Sequence, residues 1–299
     1  MPRLRLVRKI KEPLPEGTVA LALSQNGVLI AEDSDGEDSD DEKGQAIELE
    51  DVGDSFTILP ELRENVATHL AVSGNSGCGK SHWAGQYADA WREHNPGGTV
   101  ICVSCDLEDD PAISCDLRIS PAAAGELELD DLGTAGTLVI MDDCHGTDRE
   151  TAAALQKFMR ACHERGRKKH ISTINISHRP TAGKETKSAL CDLSGLVLFP
   201  ALPPTASLIY VLQNYAGVDP ALLKLLKKDR KGWGRAVFVN LSSPGTILGE
   251  RKAMLIDNDQ IAAAAGIQRE KRRAKLDAGK NGAEARRALA GVQAGKRSA

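Results

Sequence analysis

Apolar positions along the chain fall into short runs separated by amphipathic stretches, and this alternation predicts the elements of the fold. Five runs are almost continuously apolar, which is typical of strands that are covered on both faces of a sheet. They span residues 67–73, 99–104, 136–143, 170–177 and 194–200. Residues 81–94 and 149–166 have the apolar spacing of helices. Strands alternating with helices predict an α/β fold in which helices flank a parallel sheet.

The remaining segments divide the chain into four predicted parts. Residues 1–31 form a short β element, because two apolar runs flank an Asn26-Gly27 turn that favours a hairpin. Residues 32–54 are dense in like charge and poor in apolar side chains, so we expect disorder there. The main domain covers 55–267, and a basic tail without a sustained apolar face follows at 268–299.

Later elements of the main domain are also visible in the pattern. Residues 206–217 and 219–229 have helical spacing, whereas 234–242 and 252–257 have the composition of strands. Only 3% of the residues are aromatic, so the core is expected to be aliphatic.

Charge is distributed unevenly, although the formal net charge of −4 is small. Residues 32–54 contain 12 acidic residues and one lysine, whereas 269–299 contain 10 basic and 3 acidic residues. The basic tail has no aromatic residue, which favours sequence-independent contacts with the backbone of a duplex over stacking on single strands. A solvated tail or a nuclear localisation signal would have similar composition.

The seven cysteines and the absence of a signal-peptide pattern indicate a reducing, intracellular compartment. No stretch approaches the ~20 apolar residues that a membrane-spanning helix needs. Cys102, Cys105 and Cys115 have a metal-like spacing, but no second Cys-x-x-Cys or paired histidine accompanies them. Cys144 and His145 are adjacent, whereas a nucleophilic pair needs residues that converge in space. We therefore expect neither a zinc site nor a cysteine nucleophile.

The most specific motif lies between the first strand and the first helix, where "GNSGCGKS" matches the phosphate-loop pattern G-x-x-x-x-G-K-[ST]. Its residues are Gly74, Asn75, Ser76, Gly77, Cys78, Gly79, Lys80 and Ser81. Backbone amides of such a loop and the positive end of the following helix bind phosphates. Lys80 is predicted to reach the β- and γ-phosphates, and the hydroxyl of Ser81 to ligate Mg²⁺. The motif predicts a P-loop NTPase that binds ATP with Mg²⁺.

The third strand ends in two acidic residues, Asp142 and Asp143, after four apolar ones. Downstream of a phosphate loop, this pattern predicts that Asp142 holds the Mg²⁺ ion through its hydration shell. Asp143 is then placed to orient or deprotonate the attacking water. A strand that ends in a solvated acidic turn is the simpler alternative.

The fourth strand ends in Ser177 and His178. P-loop ATPases with a catalytic acid beside the metal-binding aspartate insert a strand between the loop strand and the acidic strand. The fourth strand is the natural candidate, which predicts the sheet order 5-1-4-3-2. Its carboxyl end would point at the γ-phosphate. Ser177 and His178 are therefore both predicted sensors of that phosphate, and the pattern does not choose between them.

Together these motifs resemble the FtsK/HerA-like ATPases, especially the DNA-packaging ATPases of large DNA viruses. The matching pieces are "GNSGCGKS", "LVIMDD", "RGRKKHIS" and "INISH", within about residues 65 to 200. Those families commonly end the sensor strand in Gln, where this chain has Ser177-His178.

The resemblance implies a homo-oligomeric ring that hydrolyses ATP to move double-stranded DNA through contacts in the ring interior. The composition of the basic tail adds a second expected contact with DNA, and the lack of a long apolar stretch predicts no membrane association. It implies an arginine finger from a neighbouring subunit, for which Arg165, Arg167 and Arg179 are candidates by location. The implied compartments are the cytoplasm or nucleus of an infected cell, or the virion. The alternatives are a nucleotide-dependent switch or scaffold with slow hydrolysis, and a small-molecule kinase, which would need an arginine-rich lid.

Overall fold

The computed structural model describes a subset of the residues, which spans most of the main domain. They are residues 2–7, 17–24, 27–33, 47–48, 59–60, 62, 66–108, 110–133, 135–178, 192–199, 213, 233–241 and 245–255. Apart from Gln213, the helices predicted at 206–217 and 219–229 lie outside them, as does the basic tail. All described elements belong to one compact unit, Met1–Ile256; a second unit, Asp257–Ala299, lies outside the described residues.

The described elements comprise fourteen strands and three α-helices. The strands are β1 (Pro2–Val7), β2 (Thr18–Ser24), β3 (Gly27–Asp33), β4 (Ile47–Glu48), β5 (Leu59–Pro60), β6 (His69–Ser73), β7 (Thr99–Ser104), β8 (Leu117–Ile119), β9 (Thr137–Asp142), β10 (Ile171–Ser177), β11 (Gly195–Leu198), β12 (Val237–Asn240), β13 (Thr246–Gly249) and β14 (Lys252–Leu255). The helices are α1 (Lys80–His94), α2 (Pro121–Glu126) and α3 (Arg149–Arg165). Two 3₁₀ turns span Cys144–Gly146 and Gly166–Lys169.

A ten-stranded sheet forms the centre of the fold, in the order β4-β14-β13-β12-β11-β6-β10-β9-β7-β8. Its middle, β11-β6-β10-β9-β7, confirms the predicted order 5-1-4-3-2. These five strands and β8 are parallel to one another. The fold is therefore the mixed α/β fold of a P-loop NTPase.

The sheet extends further than the apolar runs predict. The strands predicted near 234–242 and 252–257 are present as β12 and β14, and β13 lies between them. These three strands and β4 pair antiparallel, so the sheet is mixed rather than wholly parallel. Neither β8 nor α2 was predicted, because a strand of three residues and a helix of six are too short to show a period.

Helices cover both faces of the parallel strands, and alternate residues of each strand point to opposite faces. On one face, Trp83, Tyr87 and Trp91 of α1 share a buried cluster with Val100 of β7. The opposite face packs against α2 and α3, with Phe158 among the buried residues of that cluster. Burial on both faces explains why these strands are apolar at nearly every position.

A second sheet, in the order β1-β3-β2-β5, contains the predicted hairpin, because β2 and β3 pair antiparallel from Ser24 and Gly27 outward. Part of the segment 32–54, which was expected to be disordered, lies in strands. Residues 32 and 33 complete β3, and β4 pairs with β14. Backbone pairing tolerates a charged sequence because the ladder is formed by main-chain groups. The other residues of that segment lie outside the described ones.

Within the described part of the chain, no helix is both long enough and apolar enough to cross a membrane.

Candidate nucleotide-binding site

The phosphate loop leaves the carboxyl end of β6 and leads directly into α1. Gly77 and Gly79 have φ angles of 73° and 105°, a region that L side chains rarely adopt. The first turn of α1 contains no acidic residue, and no side chain caps it. Its amide groups and the positive end of the helix are therefore available to an anion, as the motif predicts.

Lys80 is buried although it carries a charge, with only 6% of its surface exposed. Its Nζ donates a hydrogen bond to the carbonyl oxygen of Asn75, at 3.3 Å. The same carbonyl accepts the amide of Cys78, at 3.3 Å, so the loop folds around the ammonium group. A buried lysine needs such partners, and a phosphate would supply a stronger one.

The two aspartates of the acidic strand end have different environments. Asp142 is the last residue of β9 and pairs in register with Ile176 of β10. Burial, followed by the charges of Asp143 and Asp110, raises the pKa of the Asp142 carboxyl, while Lys80 opposes the shift. A cation beside Asp142 would relieve this repulsion.

The donor set at this edge fits Mg²⁺, which binds to one or two protein ligands and otherwise to water and substrate phosphates. Ser81, in the first turn of α1, and Asp142 are the residues that would hold the ion. In the described ranges, no group of three or more His, Cys, Asp and Glu side chains is arranged to hold a metal by itself. Such a cluster is not required for an ion that shares its coordination with phosphates.

Asp143 follows the strand in a left-handed conformation, with φ 45° and ψ 44°. Its Oδ2 lies 3.0 Å from Nε2 of His178, whereas its Oδ1 is buried and has no hydrogen-bond partner in the described structure. An unsatisfied buried carboxylate oxygen is rare and marks a place for a donor such as water.

His178 joins the two halves of the site, because its Nδ1 lies 3.4 Å from Nζ of Lys80. The ammonium group of Lys80 only donates, and an ionised carboxylate only accepts. In this arrangement Nδ1 of His178 faces the donor Lys80, and Nε2 faces the acceptor Asp143. The imidazole thereby connects the phosphate loop to the acidic strand end.

The two predicted sensor residues are placed differently. Ser177 is 6% exposed, and its carbonyl oxygen accepts the amide of Gly74 at 3.3 Å, so its backbone anchors the start of the loop. His178 is the residue whose side chain lies between Lys80 and Asp143. The sequence left this choice open because adjacent residues of a strand differ only in the face to which they point.

Cys78, which is inside the loop, packs its thiol against the buried cluster under α1. Burial raises the pKa of the Cys102 and Cys144 thiols to about 12. Cys144 donates to the carbonyl of Val103, at 3.3 Å.

Two candidates for the arginine finger lie far from the site of their own chain. Arg165 ends α3 and Arg167 lies in the following 3₁₀ turn, both at the amino end of β10. The phosphate loop is at the carboxyl ends of the strands. The third candidate, Arg179, lies outside the described residues.

One residue of the site was missed by the sequence analysis. Arg235 lies two residues before the start of β12, and its Nε donates to the carbonyl of Cys78 in the phosphate loop, at 2.9 Å. No local motif identifies it, because 157 positions separate the two residues. The dipeptide Gly234-Arg235 before an apolar strand was the only signal, and it is weak.

No protein-family model matches the sequence, and no curated protein matches it significantly. Several solved structures are similar in fold. The pCW3 conjugation coupling protein TcpA, a monomer with ATPγS, is 14% identical with a TM-score of 0.42, over 81% of this chain and 79% of that chain. The genome-packaging NTPase B204 from Sulfolobus turreted icosahedral virus 2, with ATPγS, is 11% identical with a TM-score of 0.40, over 64% of this chain and 97% of that chain.

The cytoplasmic domain of the type VII secretion ATPase EccC from Thermomonospora curvata is 14% identical with a TM-score of 0.36, over 73% of this chain and 27% of that chain.

Proposed function

We propose that this protein is an Mg²⁺-dependent ATPase that couples hydrolysis to the movement of double-stranded DNA, and that it works inside cells as a homo-oligomer. The observation that carries the catalytic part is the continuous line from Lys80 through His178 to Asp143. It joins a complete phosphate loop to a carboxylate with one unsatisfied oxygen. Phosphoryl transfer to water needs groups that bind the phosphates and a group that orients the water, and the proposal assigns these tasks to the phosphate loop and Asp143.

Each residue has a separate role in this proposal. The loop amides and Lys80 bind the β- and γ-phosphates, and Ser81 and Asp142 would hold Mg²⁺, which neutralises charge on the phosphates. Asp143 orients the attacking water and accepts its proton. His178 is a positioning residue, because its Nε2–H fixes the carboxylate of Asp143.

His178 also supports a way for the site to sense the γ-phosphate. Nζ of Lys80 lies 3.4 Å from Nδ1 of His178. A phosphate forms stronger charge-assisted hydrogen bonds than an imidazole nitrogen, so it draws Lys80 away. The Nδ1 is then open to another donor, and the environment of Asp143 changes with the bound phosphate.

The DNA part of the proposal is supported by the basic tail and by the resemblance of the motifs to DNA-packaging ATPases. The segment 269–299 has 10 basic and 3 acidic residues and no aromatic residue. Such a composition suits contacts with the phosphates of a duplex, independent of base sequence.

Steady-state ATPase assays with and without duplex DNA test the proposal. The wild type should turn over ATP only with Mg²⁺ and faster with DNA, and Lys80→Ala should abolish both nucleotide binding and turnover. Lys157→Ala, an exposed lysine of α3, is the matched control and should behave as the wild type. No DNA stimulation together with no DNA binding at low salt would refute the motor. Persistently slow turnover in a purified oligomer would instead indicate a nucleotide-dependent switch. Transfer of phosphate to an acceptor in a panel of substrates would indicate a kinase.

A further inference from the structure

A cleft of about 200 Å³, partly open to solvent, lies beside the phosphate loop between α1 and the antiparallel strands β12 and β13. Its walls combine ring systems with polar groups. They include Trp83, Gln86, Phe199, Arg235, Phe238 and Glu250. Ligand sites for planar groups have this composition, in which apolar walls are joined by a few fixed polar groups.

Arg235 stands where the cleft meets the phosphate loop. Its Nε donates to the carbonyl of Cys78, at 2.9 Å. A Cβ on Gly79 would lie 3.1–3.3 Å from the guanidinium atoms, so the group lies directly against the start of α1. Within the described residues, this bond from Nε is the one hydrogen bond that the guanidinium forms. Arg235 also lines the cleft, so a ligand bound there would lie beside it.

The backbone of Arg235 is held from the neighbouring strand. The carboxylate of Glu250, at the end of β13, accepts the amides of Arg235 at 2.9 Å and of Ala236 at 3.3 Å. The amide of Glu250 donates to the carbonyl of Trp233, at 2.9 Å. These three bonds fix the position from which the guanidinium reaches the loop, although the residue is exposed.

The direction of a bound triphosphate follows from the strand order. Asp143 and His178 lie on the β10 side of the phosphate loop, and Arg235 with its cleft lies on the β11–β12 side. If the γ-phosphate faces Asp143, the other end of the molecule extends toward the cleft. We infer that the cleft binds the nucleoside of the substrate, with the guanidinium of Arg235 against the base and ribose. Guanidinium groups stack readily on planar rings.

This inference rests on the proposed nucleotide site and assigns its nucleoside-binding residues. It predicts that Arg235 distinguishes nucleotides from a bare phosphate chain. The test uses the full-length protein with Mg²⁺ and measures equilibrium binding of ATPγS, ADP and inorganic tripolyphosphate. Arg235→Ala should lower the affinity for ATPγS and ADP about tenfold, which corresponds to the loss of roughly one good contact. The affinity for tripolyphosphate should stay nearly unchanged. Arg251→Ala is the matched control, since Arg251 is exposed next to Glu250 and does not line the cleft.

A second variant tests the cleft without Arg235. Gln86→Trp places a bulky ring in the cleft from α1, so it should produce the same selective loss, with a thermal melt verifying the fold. Equal weakening of tripolyphosphate in Arg235→Ala would show that the residue acts through the phosphate loop and not on the nucleoside. Unchanged nucleotide affinity in both variants would remove the cleft from the site. Either result overturns the inference. A wild type that binds none of the three ligands would refute the proposed function itself.

Discussion

At the scale of single residues, the backbone of Asp143 is the most informative feature. A non-glycine residue in the left-handed region is uncommon, although Asp and Asn tolerate it better than most. Strain of this kind concentrates at functional sites. Here it coincides with the carboxylate that contacts His178 and has one unsatisfied oxygen.

Asp143→Asn tests the role of this carboxylate. Asparagine tolerates the same backbone conformation and is nearly isosteric, but it cannot accept a proton. Nucleotide affinity should stay within a few fold, while the hydrolysis rate falls about 10²–10⁴-fold, the usual contribution of a general base. Phosphate release and equilibrium binding measure the two effects. Glu93→Gln, which removes an exposed carboxylate of α1, is the control. Normal turnover of Asp143→Asn would show that the base is another group.

His178 is tested by two substitutions with different hydrogen-bonding capacity. His178→Ala leaves Asp143 without its donor, and we expect turnover to fall about tenfold or more, a loss comparable to one hydrogen bond to a charged group. His178→Gln retains an N–H donor and should recover part of that activity, with ATPγS affinity similar in both variants. If Gln and Ala variants are equally slow, the imidazole itself is needed and its role is not positioning.

At the scale of elements, a buried histidine pair links β6, β10 and α3. The hydroxyl of Thr173 lies 3.0 Å from Nδ1 of His69 and 3.1 Å from Nε2 of His163, and the two rings are 4.6 Å apart. One hydroxyl can donate to one ring and accept from the other, so both rings are satisfied when neutral. Burial, together with the neighbouring His163, lowers the pKa of His69 to about 3, and burial also lowers that of His163.

This pair predicts that acid destabilises the fold. In the unfolded chain, His69 binds a proton below its ordinary pKa of about 6.5. In the folded protein its pKa is about 3, so it stays neutral until the pH is much lower. The unfolded state then binds more protons, so the free energy of unfolding falls as pH decreases, by about 1.4 kcal/mol per pH unit for each such histidine. Denaturant unfolding at pH 7.5 and 5.5 measures it. His69→Asn should reduce the change in the free energy of unfolding between these two pH values, whereas the control His94→Asn should not. Equal changes in the wild type and both variants would contradict the prediction.

The contact between α1 and the loop after β7 depends on a missing side chain. A Cβ on Gly85 would overlap the carbonyl oxygen of Ala112, so the helix and the loop are in direct backbone contact. Gly85→Ala must push the loop away and should lower the free energy of unfolding by about 1–3 kcal/mol, despite the better helix propensity of alanine. Gly133→Ala, with no atom within 4 Å of its Cβ, is the control. A Gly85→Ala protein as stable as the wild type would show that the loop adapts freely.

At the scale of the whole molecule, the chain crosses between its two sheets before the phosphate loop. Strand β4 pairs with β14 in the large sheet, and β5 then pairs with β2 in the small one. The boundaries predicted at 31 and 54 therefore do not separate the sheets. The body they form is neutral, and most of the unbalanced charge lies in the acidic segment and the basic tail.

The tail predicts DNA binding that depends steeply on salt. Replacing Lys271, Arg272 and Arg273 by Gln should reduce the slope of log K against log salt by about 3, if each contacts one phosphate. Fluorescence anisotropy of a labelled duplex at several salt concentrations measures the slope. A control triple of Arg149, Lys157 and Arg160, all in α3, has the same charge change. If the substitutions in α3 change the slope and those in the tail do not, DNA contacts the main domain and not the tail.

Much of the central fold was predictable, because its signals are local. Strands covered on both faces must be apolar at nearly every position, and this made β6, β7, β9, β10 and β11 visible. The short β4, β5 and β8 were missed, since two or three residues have no measurable period. The role assigned to each residue of the site remains a prediction, although Lys80, Asp143 and His178 do lie together.

The sequence by itself determined the phosphate loop and the edge of the sheet at which the polar residues meet, and the pattern of P-loop ATPases added the order of the five central strands. It could do so because the loop is contiguous and parallel strands bring their carboxyl ends to one edge. Only the tertiary structure selected His178 rather than Ser177 and brought Arg235 to the loop. These contacts join residues 98 and 157 positions apart, and they depend on side-chain direction and on the antiparallel strands β12 and β13. No local pattern specifies such pairings.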